Sequence, residues 1–122
     1  MKESILAEKS FDFAIRIINL YKYLTENKKE FVMSKQLLRS GTAIGALQSE
    51  GSYAESKADF IHKYGIAQKE CNETIYWLKL IHKTDYIDNK QFDSLLNDAV
   101  ELMKIITASI LTAKKQSLIV NH

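Results

Sequence analysis

Apolar residues recur every three or four positions through nearly the whole chain, and three short polar stretches interrupt them. Leu6, Phe13, Ile17, Leu20, Tyr21 and Leu24 keep helical spacing and predict a first helix over about residues 4–26. Ser4 or Ser10 is placed to cap it. Phe11, Ala14, Ile15 and Ile18 widen its apolar arc well past one stripe, while Asp12, Arg16, Asn19 and Glu26 mark a wet side. After the charged run Asn27-Lys28-Lys29-Glu30, a second helix is expected over about 34–50, with Ser34 as its N-cap and Gly51 as a left-handed residue closing it. A third helix, over about 57–83, carries Phe60, Tyr64, Ala67, Cys71, Ile75, Leu78 and Ile81 on one face. Ser56-Lys57-Ala58-Asp59 at its start resembles a capping box. A fourth, over about 89–114, opens with a second such box, Asp88-Asn89-Lys90-Gln91. Phe92, Leu95, Leu96, Ala99, Leu102, Met103, Ile106 and Ile110 form its apolar stripe, opposite Lys90, Ser94, Asn97, Glu101 and Lys104.

Four amphipathic helices joined by short loops predict one all-α domain over residues 1–122, an antiparallel up-down-up-down four-helix bundle. The second helix stands out because it is nearly uncharged and holds Gly41 and Gly45 one turn apart. A helical glycine costs about 1 kcal/mol against alanine. The pair therefore points to a place where another backbone comes close. Gly65, inside the third helix, is either a weak point or a further close-packing site.

Two of the helices carry a second stripe. Ile66, Glu70, Glu73, Trp77 and Leu80 step by four and three along the third helix, away from its core stripe. Arg39, Ala43, Ala46 and Glu50 do the same along the second. One bundle needs one apolar face per helix, so either the core is oversized with Trp77 along its edge, or this is a subunit interface. Tryptophan and arginine are enriched in such interfaces, which favours a homo-oligomer. Arg39 is the natural partner for Glu70 and Glu73, because a guanidinium clamps carboxylates in a planar fork.

Composition adds limits. The 122 residues include no proline and only four glycines, which suits long helices. A formal net charge of +2 is weak for a dedicated nucleic-acid module. The lone Cys71 excludes an intrachain disulfide and fits a reducing compartment. Charges break up the N-terminal segment, and no apolar run approaches the ~20 residues of a membrane span. A cytoplasmic chain with no membrane partner is expected.

Candidate chemistry is sparse. Glu70-x-x-Glu73 has no accompanying Glu-x-x-His of the kind di-iron bundles use; Asp59-x-x-His62 is the nearest approach, in a single copy. His82 and His122 have no ligand spacing to Cys71, which sits on a core stripe. Ser40-Gly41-Thr42 lacks the glycine-rich loop and lysine of a phosphate cradle. No metal, cofactor or catalytic residue is assigned, and a non-enzymatic oligomeric scaffold or adaptor is expected. The alternative is a small enzyme or metal-binding protein with a site formed between subunits. RNA or DNA contacts, if made, fall to Lys28 and Lys29 in the first loop and to Lys104, Lys114 and Lys115 late in the fourth helix. Lysines at a helix C-terminus also simply complement its dipole. Another protein is the other partner class.

Several segments resemble the four helix bundle protein family that includes the 23S rRNA intervening-sequence proteins. They are Ser10-Phe11-Asp12-Phe13-Ala14, QLLRSGTAIGA from Gln36 to Ala46, Glu50-Gly51, Lys57 to Phe60, and KECNETIYWL from Lys69 to Leu78. Leu47 stands where the family usually has asparagine. The resemblance implies an antiparallel four-helix bundle that assembles as a ring, commonly a pentamer, with no established enzymatic activity. It extends to accessory proteins of diversity-generating retroelements, which use such a ring to engage nucleic acid and a reverse transcriptase.

Overall fold

The computed structural model describes residues 2–120, with side chains described over residues 5–118. Four helices follow in order: α1 Lys2–Glu26, α2 Met33–Ser52, α3 Lys57–Lys83 and α4 Asn89–Val120. Each touches two neighbours, α1 with α2 and α4, and α3 with α2 and α4; among the described residues the diagonal pairs do not meet. The helices therefore stand at the corners of a square. Their directions follow from the side-chain pairs. Lys9 reaches Glu101 and Arg16 reaches Asp98 across α1 and α4. Arg39 meets Glu73 while Glu50 meets Lys63 across α2 and α3. Lys57 meets Gln116 and Gln68 meets Thr107 across α3 and α4. Each number rises as its partner's falls, so these neighbours run antiparallel.

The core is built from the stripes that the periodicity marks. Leu6, Phe13, Ile17 and Leu24 of α1 pack with Leu37 and Ile44 of α2, Tyr64, Cys71, Leu78 and Ile81 of α3, and Leu102 and Ile106 of α4. Each large apolar side chain buried this fully stabilises the fold by about 1.5–3 kcal/mol before entropy is set against it. Thr74 is tied down inside this core: its hydroxyl lies 3.0 Å from that of Ser40 and donates to the Glu70 carbonyl at 2.7 Å.

Helix ends show where local signals hold and where packing overrides them. At α3, the Ser56 hydroxyl accepts the Asp59 N–H at 3.0 Å. At α4 the box is reciprocal: Asp88 accepts the Gln91 N–H at 2.8 Å and Gln91 accepts the Asp88 N–H at 3.2 Å. Ser34 does not cap α2. It lies inside the helix, buried, and its hydroxyl donates to the Glu30 carbonyl at 2.8 Å. The cap is the buried Glu30 carboxylate, which accepts the N–H groups of Val32, Met33 and Ser34. Ser10 is not a cap either, because α1 begins eight residues earlier at Lys2 and Ser10 is buried within it; the side chain of Ser4 lies outside the described residues.

Gly51 is not left-handed. It stays in α2, and a Cβ there would stand 2.6 Å from the Tyr64 ring, so its smallness serves packing. The left-handed residues are Lys29 (φ 54°) and Asp85 (φ 69°). Around Asp85, Tyr86 N–H bonds the Ile81 carbonyl and Asp85 N–H bonds the His82 carbonyl, both at 3.1 Å, which closes α3 with a Schellman motif. The α1–α2 contact is close for a similar reason to that at Gly51. A Cβ on Gly41 would lie 2.8 Å from Ile17 Cγ1, and one on Gly45 would lie 3.3 Å from the Ser10 hydroxyl.

Candidate functional site

The second stripes of α2 and α3 meet in part, where Arg39 of α2 reaches Glu70 and Glu73 of α3 across the seam between these helices. Arg39 donates to Glu73 at 2.5 Å and to Glu70 at 3.3 Å, and the Trp77 indole N–H donates to Glu73 at 3.2 Å. The hydrogen bond from Trp77, then that from Arg39, holds the Glu73 carboxyl below its ordinary range. Glu73 and then Glu70 raise the Arg39 pKa in return. Glu50 closes the lower seam by accepting from Lys63 at 3.0 Å. Much of the cover that Trp77 requires therefore comes from its own chain: the indole is half-buried and packs on the core cluster, and Ile66 and Leu80 are half-buried as well. Arg39 remains half exposed, and Ala46 lies on the outer side of α2, facing away from the core. A periodic stripe fixes an angle around the helix axis; the helix that meets it is decided by the bundle.

Exposed apolar residues line one side of α1. Phe11 is 68% exposed, Ile15 45% and Ile18 38%. Beside them a groove of about 710 Å³ opens between α1 and α2. Small residues make it: Ala7 and Ala14 on α1 stand across from Gly45 and Ala46 on α2. Glu8 and Asp12 stand on its rim. The sequence signal for this surface is the widened arc on the first helix, since three large apolar residues beyond a filled core stripe have no place inside one bundle.

The outer ridge of α3 has the opposite character. His62, Lys69, Tyr76 and Lys83 follow at steps of seven, all exposed, with Lys79 alongside. Tyr76 is 56% exposed and meets the Trp77 ring edge-on, with centroids 5.0 Å apart. Gly65 lies on this side of α3, and no atom of the chain comes within 4 Å of where its Cβ would be. Composition conceals this ridge, because its lysines are diluted in a nearly neutral chain. Heptad spacing read on the polar side of the helix is the signal that finds it.

The structure does not gather the candidate lysines. Lys28 and Lys29 sit at the α1–α2 turn, at the end where α4 begins, whereas Lys114 and Lys115 lie near its far end. Lys90 and Lys115 are separated by roughly 38 Å of helix. Lys104 lies between, beside a small apolar notch with Ile5, Ile105 and Ala108.

The reactive residues are inert or scattered. Cys71 donates to the Ala99 carbonyl at 3.2 Å, and burial pushes its pKa up to about 11. His82 stacks on Phe92 at 4.2 Å and lies 2.7 Å from the Asn89 amide oxygen. His122 lies outside the described residues. Among the described residues no three of His, Cys, Asp and Glu come together as a metal site, and no helix is long and apolar enough to cross a membrane.

These features define an all-helical, four-helix-bundle protein whose distinctive surfaces are an apolar groove and a basic ridge. The chain belongs to the 23S rRNA-intervening sequence protein family, whose sequence model matches residues 2–108. Among solved structures it is similar to a protein of unknown function from the S23 ribosomal protein family of Bacteroides thetaiotaomicron. The two are 53% identical, the match covers 90% of this chain and 98% of that one, and the TM-score is 0.89. A search of curated proteins returns no match.

Proposed function

We propose that the protein is a non-enzymatic cytoplasmic scaffold that acts as a homo-oligomer and engages nucleic acid. One observation carries the assembly: Phe11, Ile15 and Ile18 stand exposed on one helix beside an apolar groove, with a complete core already beneath them. Contiguous apolar surface of this kind favours a second chain over water. The family resemblance supplies the arrangement, a ring and commonly a pentamer. A non-enzymatic role is supported by the Cys71 thiol, which burial holds protonated in the core.

Assembly also strengthens the case for nucleic acid. One chain carries +2. Five would carry about +10, with each lysine cluster repeated around one axis. Lys28 with Lys29 would form one collar, and Lys114 with Lys115 another at the opposite end. Binding would then depend on assembly and fall steeply with salt, because phosphate contacts release counterions.

The test combines two variants with labelled RNA and DNA at low and moderate salt. Phe11→Ser with Ile15→Ser should stay helical by circular dichroism, lose assembly and lose binding. Lys114→Glu with Lys115→Glu should assemble normally and bind more weakly. No binding by the assembled wild type at low salt removes the nucleic-acid role. An unchanged native mass in the double-serine variant removes the α1 surface from assembly.

A further inference from the structure

We propose that one copy seats the outer ridge of its α3, led by Tyr76, in the α1–α2 groove of the next copy. The proposal rests on the homo-oligomer reading above and names its contact. Shape supports it first. The groove holds about 710 Å³ and is floored by alanine and glycine, room enough for a tyrosine ring. Tyr76 is the exposed aromatic at the middle of the α3 ridge, and its edge-on contact with Trp77 orients it outward before any partner arrives. Trp77 is itself tied to Glu73.

Charge supports it independently. Glu8 and Asp12 on the groove rim form no ion pair among the described residues, and neither do Lys69, Lys79 and Lys83 on the ridge. The two surfaces carry unpaired charge of opposite sign around apolar centres, the pattern that fixes register and speeds encounter between chains. Gly65 adds a third observation. It sits on the ridge side of α3 with open space where its side chain would be, so nothing in its own chain requires a glycine there. Against a docked neighbour, the missing side chain lets the α3 backbone approach the groove rim.

The contact is heterologous, since different surfaces of the two copies meet. The groove opens on the α1–α2 side of the square and the ridge stands at the α3 corner, so the two faces are not directly opposed. Successive copies therefore turn, as they must to close a ring.

The test uses native mass and sedimentation on the full chain. Lys69→Glu with Lys79→Glu reverses the ridge, and Glu8→Lys with Asp12→Lys reverses the groove rim. Each pair alone should weaken self-association at least tenfold while leaving circular dichroism unchanged. All four reversals in one chain should restore association, because reversed ridge then meets reversed groove at every contact whatever the number of copies in the ring. Gly65→Leu should melt no lower than wild type in dilute solution yet also associate at least tenfold more weakly. Wild-type-like assembly of both charge variants, or a four-fold variant that stays dissociated, overturns this contact and leaves the homo-oligomer standing. A wild type that is monomeric overturns both.

Discussion

Gly41 and Gly65 are both helical, yet replacing them should act in opposite directions. A Cβ at Gly41 would press on Ile17, which is fully buried and has no room to yield. Gly41→Ala should therefore cost about 1–3 kcal/mol through overpacking. Gly65→Ala meets nothing and should raise dilute-chain stability by about 1 kcal/mol through helix propensity. Paired denaturant melts check both, and equal midpoints would contradict the α1–α2 close approach. Cys71 gives a second check at this scale. With its thiol pKa at about 11 and its sulfur buried, the native chain should react with thiol reagents only as fast as it opens. Rapid stoichiometric labelling at neutral pH in native buffer would place Cys71 outside the core.

Among the elements, the sequence exposes some helix ends and hides others. The starts of α3 and α4 are legible because a short polar side chain three residues ahead of its partner is a local device. The start of α2 is not. Its cap, Glu30, is a residue type rarely used there and works only because burial holds its carboxylate against three successive N–H groups. Glu30→Ala should destabilise the fold by about 1–2 kcal/mol, read as a lower denaturant midpoint with an unchanged slope. Gly51 misleads for a related reason: its glycine answers to the Tyr64 ring, and Asp85, a residue type that tolerates the left-handed region, closes α3 instead of a glycine.

The seam between α2 and α3 has a pH signature. Trp77 and Arg39 lower the folded pKa of Glu73 below its unfolded value of about 4.3. Glu73 thus adds stability above that value, and the gain is lost as pH falls through the folded pKa. Stability of the wild type should decline more steeply below about pH 4.5 than that of Glu73→Gln. Identical acid profiles would mean that solvent screens the seam completely, as it does for many exposed ion pairs.

For the whole molecule, the bundle was legible because each helix declares its buried face through spacing alone, and short loops leave few ways to pack four such faces. Which helix meets which secondary stripe was not legible. Arg39 meets Glu70 and Glu73, the partners its guanidinium calls for, within its own chain, while Ala46 of the same stripe stays exposed. On α1, Phe11, Ile15 and Ile18 widen the apolar arc past one stripe, and the structure leaves them exposed because α2 and α4 already fill both sides of the core stripe. Self-association is the claim on which the scaffold and its nucleic-acid role both depend. Sedimentation velocity of the unmodified chain across a wide concentration range tests it most directly. The account predicts a closed species at a multiple of the 14.0 kDa subunit mass, stable on dilution into the low micromolar range. A single 14.0 kDa species at every concentration would contradict it.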